Sequence, residues 1–267
     1  MNKVIHIGAN KSASTTLQRH LFSKCEDIVY VGEDCERYEE NKKMLDSLVS
    51  DDSCNFSYVK TKQMMDQYLK QVDSQTFLYS NEDVMTSRVP SQCRDRLFHL
   101  LPDSKILLIM RNQFDAIISW YANHGAYLKQ VPRRYWRKHV EFDEWMNYCL
   151  EFFTYSPLTS FLYHKHLALY ASSFGKENIR ILLFEDFIHN KDKFLEQLTN
   201  LLQISKTKAE ALIHNKHERP RSSQKKHNII LSKEWKDKIR QIYAEDNHRV
   251  MQQYGVDLHQ YNYPSKY

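Results

Sequence analysis

KVIHIGANKSASTTLQRHL, residues 3–21, is the stretch on which the reading of the fold turns. Val4, Ile5, His6 and Ile7 predict a short strand, and Gly8 ends it. Asn10-Lys11-Ser12-Ala13-Ser14-Thr15-Thr16 follows, and then a helix carrying Leu17, Leu21 and Phe22. A strand, a turn of small hydroxyl residues with one lysine, and a helix opening make an anion cradle. The free N–H groups of a helix start point toward a ligand, and the helix dipole favours negative charge there. The hydroxyls add short donors and the lysine a full charge.

Working outward, Ile28 to Gly32 predicts a second strand, and Met64, Met65, Tyr68, Leu69 and Val72 place a helix over 61–72. Thr76 to Tyr79 reads as a strand ending in Ser80-Asn81-Glu82-Asp83, and 84–101 as a helix stopped by Pro102. Lys105 to Met110 is apolar on both faces, the pattern of a buried parallel strand. Arg111-Asn112-Gln113-Phe114-Asp115 then turns into a helix, with Asn112 as its N-cap. Helices are expected near 142–153, 160–174 (closed by Gly175), 193–202, 206–214 and 231–254, with a strand at 179–184. Residues 129–138 and 216–226 are basic loops. Strands alternating with helices predict an α/β fold of three layers, a central parallel sheet between helices. Ligands of such sheets bind at the carboxyl ends of the strands. The turns after the strands at 4–7, 76–79 and 105–110 can therefore converge on one cleft.

A chain of 267 residues with 42% hydrophobic and 13% aromatic residues is long enough for a substantial core, and a single domain over 1–267 is expected. The net charge of +5 suits a small polyanion as well as nucleic acid. No apolar run approaches the ~18–20 residues that span a bilayer. The first strand begins too early for a signal peptide to precede it. Five cysteines without C-x-x-C spacing argue for reduced thiols in a cytoplasmic compartment, not a disulfide framework or zinc site.

The first turn departs from a Walker A loop, which needs glycine immediately before Lys-Ser/Thr; Lys11 follows Asn10. It resembles instead the phosphosulfate-binding loop of sulfotransferases that use 3′-phosphoadenosine 5′-phosphosulfate (PAPS). That loop reads Lys-Ser/Thr-Gly-Thr/Ser-Thr, and Ala13 stands where the pattern has glycine. The same family carries a strand, then Arg-Asn-Pro-x-Asp, then a serine further along the helix. Here Arg111-Asn112-Gln113-Phe114-Asp115 leads to Ser119, with glutamine in place of proline. Phe142-x-x-Trp145, and Phe184-Glu185-Asp186-Phe187 after a strand, also resemble the family pattern, the Glu-Asp as a structural pair.

The resemblance implies a P-loop-like sulfotransferase fold of the bacterial carbohydrate type and a PAPS donor that leaves as adenosine 3′,5′-diphosphate (PAP). It places the donor's 5′ end at Asn10, Lys11, Ser12, Ala13, Ser14, Thr15 and Thr16. It places the 3′-phosphate at Arg111 and Ser119, under a basic loop containing Arg219, Arg221, Ser222 and Lys225. That loop reads equally as a solvated charged face. A guanidinium fork suits phosphate oxygens. Lys11 would stabilise the bridging oxygen of the leaving group, with no metal needed. Two residues compete as the base for the acceptor hydroxyl. Glu82 lies where carbohydrate-type members place a glutamate, although Ser80 to Asp83 also reads as a capping box. His124 follows the helix of the second motif. Arg133, Arg134, Tyr135, Trp136 and Arg137 suit a glycan or glycolipid acceptor, or else form a solvated loop. A lipid acceptor would put the chain peripherally at the inner membrane. Two rival readings are an ATP- and magnesium-dependent small-molecule kinase and a non-catalytic nucleic-acid or polyanion binder.

Overall fold

The alternation of apolar runs and amphipathic segments becomes a five-stranded parallel sheet in a computed structural model of the chain. The structure describes residues 1–32, 45–50, 54–70, 76–125, 139–214 and 229–266, with backbone alone at 124–125. The strands are β1 Asn2–His6, β2 Ile28–Gly32, β3 Thr76–Ser80, β4 Lys105–Met110 and β5 Ile179–Leu183. Their order is β2-β3-β1-β4-β5, and every neighbouring pair is parallel. From β1 the chain goes first to the edge strand β2, returns to β3 beside β1, and then crosses to β4 on the other side of β1. The turn after β1 therefore stands at the switch point of the sheet, where a crevice opens between diverging connections.

Two compact units are present. Met1–Met110 with His166–His217 holds the whole sheet; Arg111–Lys165 with Glu218–Tyr267 is the second. In the first unit, α1 (Ser14–Leu17) passes directly into a π-helical turn, Gln18–Phe22. Leu17, Leu21 and Phe22 are fully buried against Val4, Leu78 and Leu107. The same sheet face is covered by α9 (Lys191–Leu202) and α10 (Lys206–Ile213). On the opposite face, Tyr170 of α7 (Tyr163–Phe174) hydrogen-bonds Cys93 of α4 (Pro90–Leu100) at 3.9 Å. Helical residues 45–50 (α2) and α3 (Tyr58–Lys70) complete this unit, with α8 (Phe184–His189) after β5. Asp186 in α8 is buried and pairs with Lys193 at 3.0 Å. The second unit contains α5 (Gln113–Trp120), α6 (Phe142–Glu151) and α11 (Lys233–Tyr254). Cys93 and Cys149 are buried thiols, and burial pushes both up to about 12, which leaves them unreactive.

Two helices differ from the sequence expectation. The helix expected over 84–101 starts only at Pro90, because proline fits a first helical turn and not an interior. Glu82–Val84 is instead a separate 3₁₀ turn. The helix expected over 160–174 is broken: Pro157–Phe161 is a 3₁₀ segment capped by Ser156, and α7 begins after Leu162 leaves helical geometry.

The end of β2 is packed against the end of β3 through Gly32. A Cβ there would stand 2.5 Å from the Ser80 carbonyl oxygen, which is backbone and cannot swing aside. Gly32→Ala is expected to destabilise the fold by about 1–3 kcal/mol, read as a lower urea midpoint. An unchanged midpoint would show that the two strand ends are not held this closely.

Candidate active site

The site begins where β1 runs out. The Ile7 N–H still reaches the Leu107 carbonyl, and the chain stays stitched to β4 through Ala9 N–H to Ile109 O (3.1 Å) and Ile109 N–H to Gly8 O (3.0 Å). Gly8 has φ 108, a conformation that L side chains rarely adopt. The backbone of Glu82 packs on the side where a Cβ would point, 3.5–3.6 Å from it. The Asn10 side-chain amide donates to the Glu82 carbonyl at 3.5 Å. The turn after β1 and the turn after β3 thus lie against each other.

Beyond Asn10, the loop is bent by two left-handed residues, Lys11 (φ 69) and Ala13 (φ 65). An L-residue in this region costs about 1 kcal/mol. That explains why the resembled pattern has glycine at the position of Ala13, which sits at the N-cap of α1. The Ser14 hydroxyl turns back to the Ala9 carbonyl at 3.3 Å and braces the loop. The Ser12 hydroxyl is fully buried and has no hydrogen-bond partner among the described residues, an unspent donor in the middle of the loop. Lys11 and Thr15 are half-buried, and Thr16 is buried. A half-buried lysine among hydroxyls that can donate suits an anionic ligand.

Beneath the loop lies a polar cluster that the motifs do not announce. His6 of β1 is fully buried, its Nδ1 2.8 Å from the Ser80 hydroxyl of β3. Gln18 donates to the same hydroxyl at 3.0 Å. Burial pushes the His6 imidazole down from 6.5 to about 4, opposed by a backbone hydrogen bond with Gly8, so the ring is neutral at pH 7. Ser80 is spent in this cluster and does not cap the following turn. Asn81 caps it, accepting the Asp83 N–H at 2.8 Å, which corrects the capping-box reading. The signal for this cluster was a histidine between Ile5 and Ile7 in a strand otherwise made for the core. Glu82, the first of the two base candidates, is half-buried beside the loop.

In the second unit, Asn112 caps α5 as expected, accepting the Phe114 N–H at 3.0 Å. The Tyr163 hydroxyl donates to the Arg111 carbonyl (2.7 Å) and accepts the Arg111 N–H (3.3 Å), gripping its backbone on both sides. Arg111 and Ser119 are half-buried. His124 falls in the π-helical turn Tyr121–Gly125, and its side chain lies outside the described residues. Arg219, Arg221, Ser222 and Lys225, and the whole of 129–138, also lie outside them. Among the described residues no helix is long and apolar enough to cross a membrane.

The fold has counterparts among solved structures. A sulfotransferase from Alicyclobacillus acidocaldarius superposes with a TM-score of 0.63 at 18% identity, over 98% of this chain and 98% of that one. The sulfotransferase domain of the Synechococcus PCC 7002 olefin synthase gives 0.54 at 12% identity, over 96% and 95%. That of the curacin biosynthetic pathway gives 0.53 at 12%, over 96% and 98%. No curated protein matches the sequence. The sequence profile of the sulfotransferase domain matches residues 2–255, through both compact units. A parallel sheet with a lysine- and hydroxyl-bearing turn at its switch point, under a profile match over nearly the whole length, leads to one conclusion: the chain belongs to the sulfotransferase domain family and is an enzyme of sulfuryl transfer.

Proposed function

We propose that the enzyme takes the sulfuryl group from PAPS and delivers it to a hydroxyl of a glycan or glycolipid, in the cytoplasm. The family normally uses this donor. The observation that carries the donor assignment is the turn after β1, with Lys11 beside the buried, unspent hydroxyl of Ser12. In this reading the two compact units form one domain, as a single family profile running through both supports. The loop from Asn10 to Thr16 holds the 5′ end of the donor. Arg111 and Ser119 hold the 3′-phosphate, with Arg219, Arg221, Ser222 and Lys225 closing over it. Transfer is positioning and charge stabilisation. An acceptor oxygen attacks sulfur in line, the sulfur–bridging-oxygen bond breaks, and Lys11 stabilises the charge left on that oxygen. Glu82 takes the acceptor proton; its place beside Gly8 and Asn10 favours it over His124. No metal is assigned a part. The glycan or glycolipid acceptor rests on the basic, aromatic stretch 129–138 and on the family resemblance.

A calorimetric titration tests the donor. PAP is expected to bind at least tenfold more tightly than ATP with magnesium. Equal or reversed affinity would replace the reading with a kinase. Weak affinity for both, with salt-dependent binding of long polyanions, would replace it with a polyanion binder.

A further inference from the structure

Gln113 and Asn247 stand face to face in the second unit, 0% and 1% exposed. Gln113 Nε2–H donates to Asn247 Oδ1 at 2.8 Å, and Asn247 Nδ2–H donates to Gln113 Oε1 at 3.1 Å. The remaining amide hydrogens go to the Phe161 carbonyl (3.3 Å) and the Pro264 carbonyl (2.9 Å). Every N–H of the pair is used, and flipping either amide would set oxygen against carbonyl oxygen, so the orientation is fixed. Such a buried, fully satisfied pair is rigid, and it becomes costly once half of it is removed.

Its place in the chain gives it a task. Arg111 is two residues before Gln113, and its backbone is held by Tyr163. Between them, the Asn112 amide donates to the carbonyls of Tyr261 (2.8 Å) and Asn262 (3.1 Å). Asp246, next to Asn247 on α11, accepts the N–H groups of His164 (2.8 Å) and Lys165 (3.3 Å), and so fixes the start of α7, where Tyr163 sits. Two consecutive residues of α11 therefore brace Arg111 from both sides: Asp246 through Tyr163, Asn247 through Gln113.

We infer that the Gln113–Asn247 amide pair is a positioning element for the 3′-phosphate site, aligning Arg111 and Ser119 from α11. This rests on the proposed PAPS reading. It also accounts for glutamine where the resembled motif has proline. Gln113 is the first residue of α5, a position whose N–H needs no helical partner, and Asn112 (φ −50, ψ 124) already has a backbone that proline accepts after it. The backbone is therefore ready for proline, and what the glutamine adds is its side-chain amide.

Gln113→Pro is accordingly a clean test, because it keeps the backbone and removes the pair. Asn247→Leu, which keeps the branching and heavy-atom count of asparagine without its polar atoms, removes it from the other side. The swap Gln113→Asn with Asn247→Gln restores an amide pair of the same combined length. Affinities are measured for PAP and for adenosine 5′-monophosphate, which lacks the 3′-phosphate. The ratio between them is expected to fall roughly tenfold in each single replacement and to recover in the swap. A pair that served stability alone would lower the unfolding midpoint and leave the ratio untouched; that result overturns the inference. If the unaltered enzyme shows no preference for the 3′-phosphate, the donor reading fails instead, and the two failures are thereby told apart.

Discussion

Lys11→Ala is expected to lower kcat by about 10³-fold, the scale seen when a preorganised charge-stabilising group is removed. PAP affinity should fall much less. The loop that carries Lys11 is held by contacts that do not involve its ammonium: the stitching of Gly8 and Ala9 to Ile109, the Ser14 brace, and the burial of Ser12. Alanine also accepts the left-handed backbone at φ 69 about as badly as lysine, so the substitution adds no new strain. The loss should therefore appear in turnover and not in folding. Single-turnover rates with saturating donor make the measurement; a mutant within a few-fold of the parent removes Lys11 from the mechanism. Glu82→Gln provides the contrast, since removing a base should also erase the acid limb of the pH–rate profile while Lys11→Ala leaves its shape alone.

The second large effect is on stability at low pH. His6 is fully buried, with the Ser80 hydroxyl at its Nδ1, Gln18 donating to that same hydroxyl, and Phe22 edge-on 6.0 Å away. Its imidazole is held down at about 4, against an ordinary 6.5. The unfolded chain therefore binds a proton that the native state refuses between those values, and stability rises with pH across the window. The contribution is complete above about 6.5 and is lost as pH falls to about 4. The gap corresponds to about 3 kcal/mol. Urea unfolding from pH 7 to pH 4 should show this loss, and His6→Phe should flatten it by about that amount. If parent and variant lose stability in parallel, His6 is not the group responsible. At pH 7 the neutral ring ties β1 to β3 directly beneath the loop.

Much of the site was legible because it is local. A strand, a glycine, a lysine among hydroxyls and a helix start are neighbours in the chain, and Asn112 caps its helix through a bond to Phe114. What escaped joins residues far apart. His6 and Ser80 are separated by 74 positions, Gln18 and Ser80 by 62, Gln113 and Asn247 by 134. No periodicity encodes which distant side chain will meet a buried amide. The misread helix over 84–101 has a different cause. Its apolar residues continue past Pro90 at helical spacing, and the proline's missing N–H overrides that pattern.

The amino-acid order by itself determined an alternating α/β chain, the turn that carries Lys11, and the motif that begins with Arg111, because hydrophobic period and turn chemistry act over a few residues. The tertiary structure alone decided the order β2-β3-β1-β4-β5, which puts β3 beside β1 and so brings Glu82 against Gly8. It alone decided that His6 is neutral and that two buried amides brace Arg111. Those outcomes depend on burial and on partners that only the folded chain supplies.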